Sequence, residues 1–435
     1  MIWKAWGSAD NSQVFSLKGP VAERFDSQGF VGIVCQQQEL PMVALRLMVP
    51  TGSWEDPEGK EGIAYLTAHL LVEGTKKRSP AEIHELLDAA GGRFFVEADG
   101  DYTMLGFSVL RRDLAQALDL LVEVLREPAF LEEEFLRRKQ RLLGEISSQE
   151  DRPGGLAHRA FLKALWGPSG YGHDPRGFKE AVSNFGLHDV WEHYKGSIQG
   201  KRVLFVAAGD IRPDDFQKKL SQLMSGWSAM EGVQRAPSSR PLPKPSRVLI
   251  HKDIPQATVI LGQTCVHRGH PDVYALWVMN HVLGGGGFSS RLMEEIRSRR
   301  GLAYAVSSSL DARMRGGLFR VGFQTENKNV FNAIELTWEQ AELIRSKPVS
   351  TKELEEAKAF LVGSFPMRMD SISSLASSLA LWELYGLGLD YPSDFASQVN
   401  RVDQADLMRV ASEHLDPQNW TQVLVGQQDA IQSSR

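Results

Sequence analysis

Cysteine is scarce in this chain: two in 435 residues, Cys35 and Cys265. Each sits in an apolar, strand-like run, GIVCQ and GQTCV, far from the other. Two cysteines so placed cannot form a zinc knuckle and nothing points to a disulfide, so both read as buried small side chains. Long apolar runs are missing as well. No stretch approaches the roughly 20 residues that a membrane helix needs, and the opening MIWKAWGSADNSQ lacks the apolar core of a signal peptide. A signal already removed would leave the same sequence, so cytoplasm and periplasm both stay open. Nor is there an excess of positive charge. With 49 basic against 54 acidic residues the net charge is −5, whereas binding to phosphate backbones needs a basic surplus. That sets nucleic acid aside as the main partner. The short basic runs Lys76-Lys77-Arg78 and Arg137-Arg138-Lys139 read as solvated surface, the first after a helix end and the second on a charged helix.

Core material, by contrast, is ample. At 42% hydrophobic and 24% charged residues the chain reads as globular, and its length calls for two or three domains. The stretch EGVQRAPSSRPLPKPSR, 231–247, holds four prolines and several serines and reads as an extended linker between domains 1–230 and 248–435. Each flank repeats one order. Strands GFVGIVCQ and MVALRLMVP, a polar turn, then a helix ending in one late histidine and glycine are matched by RVLIHKD, ATVILGQTCV, HRGHPD and VYALWVMNHVLGGGG. This is the signature of an internal duplication with copies of roughly 200 residues. Within each copy a hairpin precedes a run of helices, as in RFFVEADGDYTMLGFSVL followed by LAQALDLLVEVL and FLEEEFLRRKQRLLGEISSQ. That order favours an α+β fold with a largely antiparallel sheet and packed helices in each copy.

What is missing matters most in GIAYLTAHLLVEGTKKRS, residues 62–79. A hydrolytic zinc helix needs two histidines four apart on one face and a glutamate beside the second to act on metal-bound water. It also needs a third ligand from elsewhere and an open fourth position. Here the three places read Tyr65, Ala68 and His69. One ligand remains, and the base is gone.

Around those gaps the segment resembles the insulinase-type (pitrilysin-like) zinc metallopeptidases, whose H-x-x-E-H motif lies in a G-[LI]-A-H-F-L-E-H context. Gly62, Ile63, Ala64, His69, Gly74 and Thr75 match it; Tyr65 and Ala68 depart. The family's third ligand is a glutamate about 76 residues beyond the second histidine, and here Glu145, in LLGEISSQEDRP, occupies that place. In the second half, HVLGGGGFSSRLMEEIRSRRGLAYAVSSS is similar to the family's glycine loop and Ser-Arg-Leu helix. Arg291 and Tyr304 fall where the resemblance expects a substrate-contacting Arg/Tyr pair, donors suited to a polarised carbonyl.

The resemblance implies two homologous domains forming a clamshell, a degenerate zinc motif and no metal or cofactor of the chain's own. It further implies a partner, a homologous subunit bearing the intact zinc motif, and a peptide substrate in the cleft. The alternative is a scaffold subunit of a larger complex with no part in proteolysis. Whether the isolated chain forms a homodimer is left open. His69 reads as a core histidine, paired to Glu145, rather than a ligand. Glu145 is otherwise a helix-surface carboxylate, and Arg291 a helix-surface residue beside Glu294 and Glu295. Other motifs are set aside. Gly284 to Gly287 lack Walker spacing and read as a cleft loop or helix stop. His188 and His193 lie about 140° apart around a helix and cannot close on one ion, even with Glu192 between. His267 and His270 flank Gly269 in a turn with no further ligand near in sequence.

Overall fold

The computed structural model describes residues 19–27, 29–227 and 244–433. Most of the expected linker lies outside these residues, and Arg247, its last residue, already opens a strand. The first half builds a six-stranded sheet from β1 (Glu23–Ser27), β2 (Phe30–Gln36), β3 (Met42–Val49), β4 (Phe95–Ala98), β5 (Thr103–Leu110) and β6 (Val203–Gly209). The second half builds a five-stranded sheet from β7 (Arg247–His251), β8 (Gln256–Cys265), β9 (Ala303–Ala312), β10 (Gly317–Glu326) and β11 (Thr421–Gly426).

The strand orders are β1-β2-β6-β3-β5-β4 and β7-β11-β8-β10-β9. Apart from the extra edge strand β1, which the sequence did not announce, the second order repeats the first. Each sheet is antiparallel except for one parallel pair, β2 with β6 and β7 with β11. This is the duplication in three dimensions, and the α+β architecture of two sheets packed against helices holds in both halves.

The central strands are apolar on both faces, the pattern of strands buried on two sides. In the first sheet one face, including Val43, Leu45, Leu47, Phe107 and Phe205, packs under the half's own helices. These include α1 (Ile63–Leu70), α2 (Pro80–Ala89), α3 (Leu114–Arg126) and α4 (Glu132–Asp151). The other face, with Ile33, Ala44, Met48 and Val206, belongs to a core made mostly by the second half. A helix of that half, Ile372–Leu384, lies across β3 and β6.

The exchange is reciprocal. Helix α5 (Pro153–Trp166) of the first half lays Ala157, Phe161, Leu162 and Leu165 on Ile260, Leu318, Val423 and Val425 of the second sheet. At each crossing an arginine reaches from sheet to helix. The Nε of buried Arg46 donates to Ser377 Oγ at 2.9 Å and its Nη2 to the Ser373 carbonyl at 3.2 Å. Burial lowers the Arg46 guanidinium to about 10. Arg320 donates to His158 Nδ1 at 3.1 Å.

The hairpin tips of the two halves, equivalent by the duplication, meet with opposite charge. Asp99 and Asp101 of the β4–β5 turn face Arg313 and Arg315 of the β9–β10 turn, with 2.7 Å between Arg313 Nη1 and Asp99 Oδ1. Asp101 is enclosed: its carboxylate also accepts from the Met314 amide at 3.0 Å and from the hydroxyl of Tyr171. Removing one partner of such a buried set leaves the others unpaired. Asp101→Ala is therefore expected to cost about 3 kcal/mol, read as a lower urea midpoint. An unchanged midpoint would mean that the tips contribute nothing to holding the halves together.

No described helix is long and apolar enough to cross a membrane. Cys35 is buried and Cys265 only partly so, against the expectation that both would be enclosed; both are free thiols. Burial raises each thiol to about 11.

Candidate functional site

Helix α1 starts at a designed corner. The Asp56 carboxylate accepts from the amides of Gly62 (2.7 Å) and Ala64 (3.1 Å), capping the first turn. Burial pushes that carboxyl well above its usual range. Gly62 has φ of 102° and a Cβ there would fall 2.5 Å from the Arg176 carbonyl oxygen, so only glycine serves. The helix ends at Leu70, earlier than the Gly74-Thr75 stop suggests, and Gly74 turns the chain with φ of 110°.

The family's motif positions do converge. Tyr65 and His69, one turn apart on α1, have ring centroids 4.5 Å apart. Glu145 comes to them from α4, and Ala68 points into the core, fully buried. The expected His69–Glu145 pair is absent. The Tyr65 hydroxyl donates to Glu145 Oε2 at 3.1 Å, and the other carboxylate oxygen takes Arg138 Nη1 at 3.2 Å and Arg141 Nε at 3.3 Å.

Arg138 corrects a second expectation. It is not solvated surface: its side chain is 8% exposed. Seven residues before Glu145, it shares that residue's face of α4. Its Nη2 donates to Tyr65 Oη at 3.3 Å, and its guanidinium carbon stands 5.5 Å from the Tyr65 ring centroid. Burial, then Arg138 and Arg141, push His69 down to about 3, so the ring is neutral. Burial and the Glu145 carboxylate raise the Tyr65 phenol.

The residues present do not fit a zinc ion. Zinc takes three protein ligands in hydrolytic sites. Here one imidazole remains, the carboxylate is engaged by two arginines, and a fixed guanidinium would repel a dication by several kcal/mol.

In the second half, the family resemblance paired Arg291 with Tyr304; no hydrogen bond or ring contact joins them in the structure. Arg291 forms a fork with Glu353, at 2.6 Å and 3.0 Å, and not with Glu294 or Glu295. Those two acids hold Arg299 and Arg300. Glu353 itself closes the capping box of helix Thr351–Ser364 with Ser350. Tyr304 is 83% exposed at the start of edge strand β9. Its cationic neighbour is Arg297, whose guanidinium lies 4.9 Å from the Tyr304 ring and 4.7 Å from the ring of Phe288, also exposed. Arg297 forms no ion pair among the described residues. Sequence reasoning passed over it, although it stands seven residues before Tyr304 in the same helix-to-strand segment.

Beside Tyr304, the part of the second sheet's outer face that α5 leaves open forms a polar groove lined by Thr258, Ser307, Ser309, Arg320 and Gln324. Gly284 and Gly285 close a wide helical turn, His281–Gly285, and so end the helix. Of the discounted histidines, His193 is buried at the end of helix Leu187–His193 and His188 is exposed beside Asp189, which holds Lys60 at 2.5 Å.

Comparison with known proteins identifies the family. Residues 33–173 match the family described as "Insulinase (Peptidase family M16)" and residues 184–361 the one described as "Peptidase M16 inactive domain". A relative in Bacillus subtilis, named "Uncharacterized zinc protease YmxG", is 27% identical over 89% of this chain and 93% of its own length. One in Helicobacter pylori, named "Non-peptidase homolog YmxG", is 25% identical over 92% of each chain. A crystal structure titled as a peptidase M16 inactive domain from Pseudomonas fluorescens superposes with a TM-score of 0.85 at 27% identity, covering 94% of this chain and 98% of that one.

The Tyr65-Glu145-Arg138 arrangement predicts that motif repair by Tyr65→His and Ala68→Glu fails to create zinc binding that depends on His69. Adding Arg138→Leu creates it. The measure is the part of zinc binding lost on a further His69→Ala change, and equal binding with and without Arg138 would refute the repulsion. A second outcome concerns pH. The hydrogen bond from Arg291 is the main cause that holds Glu353 down to about 2, from an ordinary value near 4.5. Because the folded value is depressed, this stabilisation is full above pH 4.5 and is lost as pH falls towards 2. Glu353→Gln should flatten the acid side of the stability curve in that window.

Proposed function

The chain belongs to the insulinase family, peptidase family M16, and from that premise we propose that it is the non-catalytic subunit of a two-subunit zinc peptidase. The zinc site belongs to a homologous partner, and this chain lends substrate contacts to it. The observation that carries the reading is the contrast between two arginines. At the degenerate motif Arg138 is buried and tied to Tyr65 and Glu145, whereas Arg297 stands half-buried beside Tyr304 with no carboxylate attached among the described residues.

A guanidinium and a phenol side by side are donors suited to the carbonyl of a bound peptide and to the oxyanion that forms on cleavage. Edge strand β9 offers unpaired backbone groups next to them, where an unfolded peptide can add as a further strand. In this reading the contact role that the family resemblance implied for Arg291 is carried by Arg297. The name "non-peptidase homolog" borne by the H. pylori relative supports the non-catalytic part of this reading.

The test is a peptidase assay on unstructured peptides, with the chain alone and mixed with a zinc-motif homologue from the same source. No turnover alone and turnover on mixing is the expected result. Tyr304→Phe and Arg297→Ala should each lower turnover of the mixture by on the order of 10², while Arg291→Ala lowers thermal stability and leaves turnover unchanged. No activity in the mixture would transfer the chain to the scaffold class.

A further inference from the structure

The turn that sequence reasoning dismissed is not alone. His270 and Asp272 follow β8 in the segment leading to helix Val273–Asn280, and the last residue of helix Gln404–His414 arrives against them. One ligand atom from each of His270, Asp272 and His414 lies within 4.8 Å of the other two, with all three side chains partly buried. We propose that these three residues form a binding site for a transition-metal dication of the zinc type, separate from the degenerate motif.

The geometry is near that of a bound ion. Ligand atoms about 2.0–2.1 Å from zinc in a tetrahedron lie about 3.3 Å from one another. Here His414 Nε2 is 2.7 Å and His270 Nδ1 is 3.8 Å from the same carboxylate oxygen, Asp272 Oδ2. Small rotations of the two rings bring both separations to that value.

The ring states also suit. The Asp272 amide donates to His270 Nδ1 at 3.1 Å, which keeps a lone pair on the atom that faces Oδ2. A metal taking that lone pair costs this single hydrogen bond. His414 binds through Nε2 as the neutral ring with its proton on Nδ1, so the metal takes the place of the hydrogen bond between Nε2 and Asp272 Oδ2.

Asp272 is prepared as an anionic ligand. Arg409 forks the carboxylate, Nη2 on Oδ1 at 2.7 Å and Nη1 on Oδ2 at 3.2 Å, and Nη1 is also anchored to Glu413 at 2.9 Å. Being 44% exposed, unlike the enclosed Arg138, it keeps Oδ1 and Glu413 and yields its contact with Oδ2 to the ion. His267, with its ring 5.9 Å from that of His270, is in reach of the fourth position, which water fills otherwise.

The experiment is zinc titration by calorimetry of the full, tag-free chain after chelator treatment, with thermal unfolding read in parallel. One equivalent of zinc is expected to bind and to raise Tm, unchanged in His69→Ala. Binding should weaken by about tenfold or more in His414→Ala and in Asp272→Asn. Those variants also lose an existing hydrogen bond, so His270→Ala, whose ring accepts only from a backbone amide and which should fold as the parent does, is the second probe. No zinc binding by the parent chain, or binding that survives His270→Ala and His414→Ala, overturns the site. Zinc lost on His69→Ala alone overturns both this site and the reading of the degenerate motif.

Discussion

Everything in this chain follows from a shortage of cover. Each half makes a sheet that is apolar on both faces, yet its own helices shield only one of them. The second face has to be buried by something, and the other half supplies it: Ile372–Leu384 on the first sheet, α5 on the second. The exchange makes the halves mutually dependent, since neither sheet is sealed without the other. It also brings equivalent hairpin tips together, where aspartates on one and arginines on the other turn proximity into a registered contact.

The same logic explains why a disused metal site has not simply collapsed. A histidine, a glutamate and a tyrosine brought together by α1 and α4 leave a half-buried carboxylate in need of positive charge. Arg138 provides it from the same helix face, and its hydrogen bonds to Tyr65 and Glu145 close the set. A guanidinium does for the fold what a metal ion would do electrostatically, but it opens no coordination position and activates no water. The site thus survives as part of the structure while its chemistry is gone.

Two arginines in the second half divide the remaining work. Arg291 ties the segment after the glycine loop to the capping box of Thr351–Ser364, so its fork is spent on architecture. Arg297 lies between two exposed aromatic rings that hold it in place without neutralising it. A fixed, unneutralised cation beside an exposed phenol and an open strand edge is the arrangement on which the proposed peptide contact rests.

Period and order along the chain were enough to determine the duplication, the strand–hairpin–helix succession and the loss of ligand and base at Tyr65 and Ala68. Those are local properties: two-residue alternation, a four-residue helix spacing, the identity of single side chains. Glu145 came within reach only through the family resemblance, which expects a glutamate about 76 residues beyond the second histidine. Which half covers which sheet, that Arg138 lies inside rather than on the surface, and which arginine stands beside Tyr304 were decided only by the tertiary structure. So was the approach of His414 to Asp272 across 142 residues. Each depends on where remote segments cross, and burial, charge pairing and ligand geometry at a crossing belong to both segments at once, so neither one's sequence contains them.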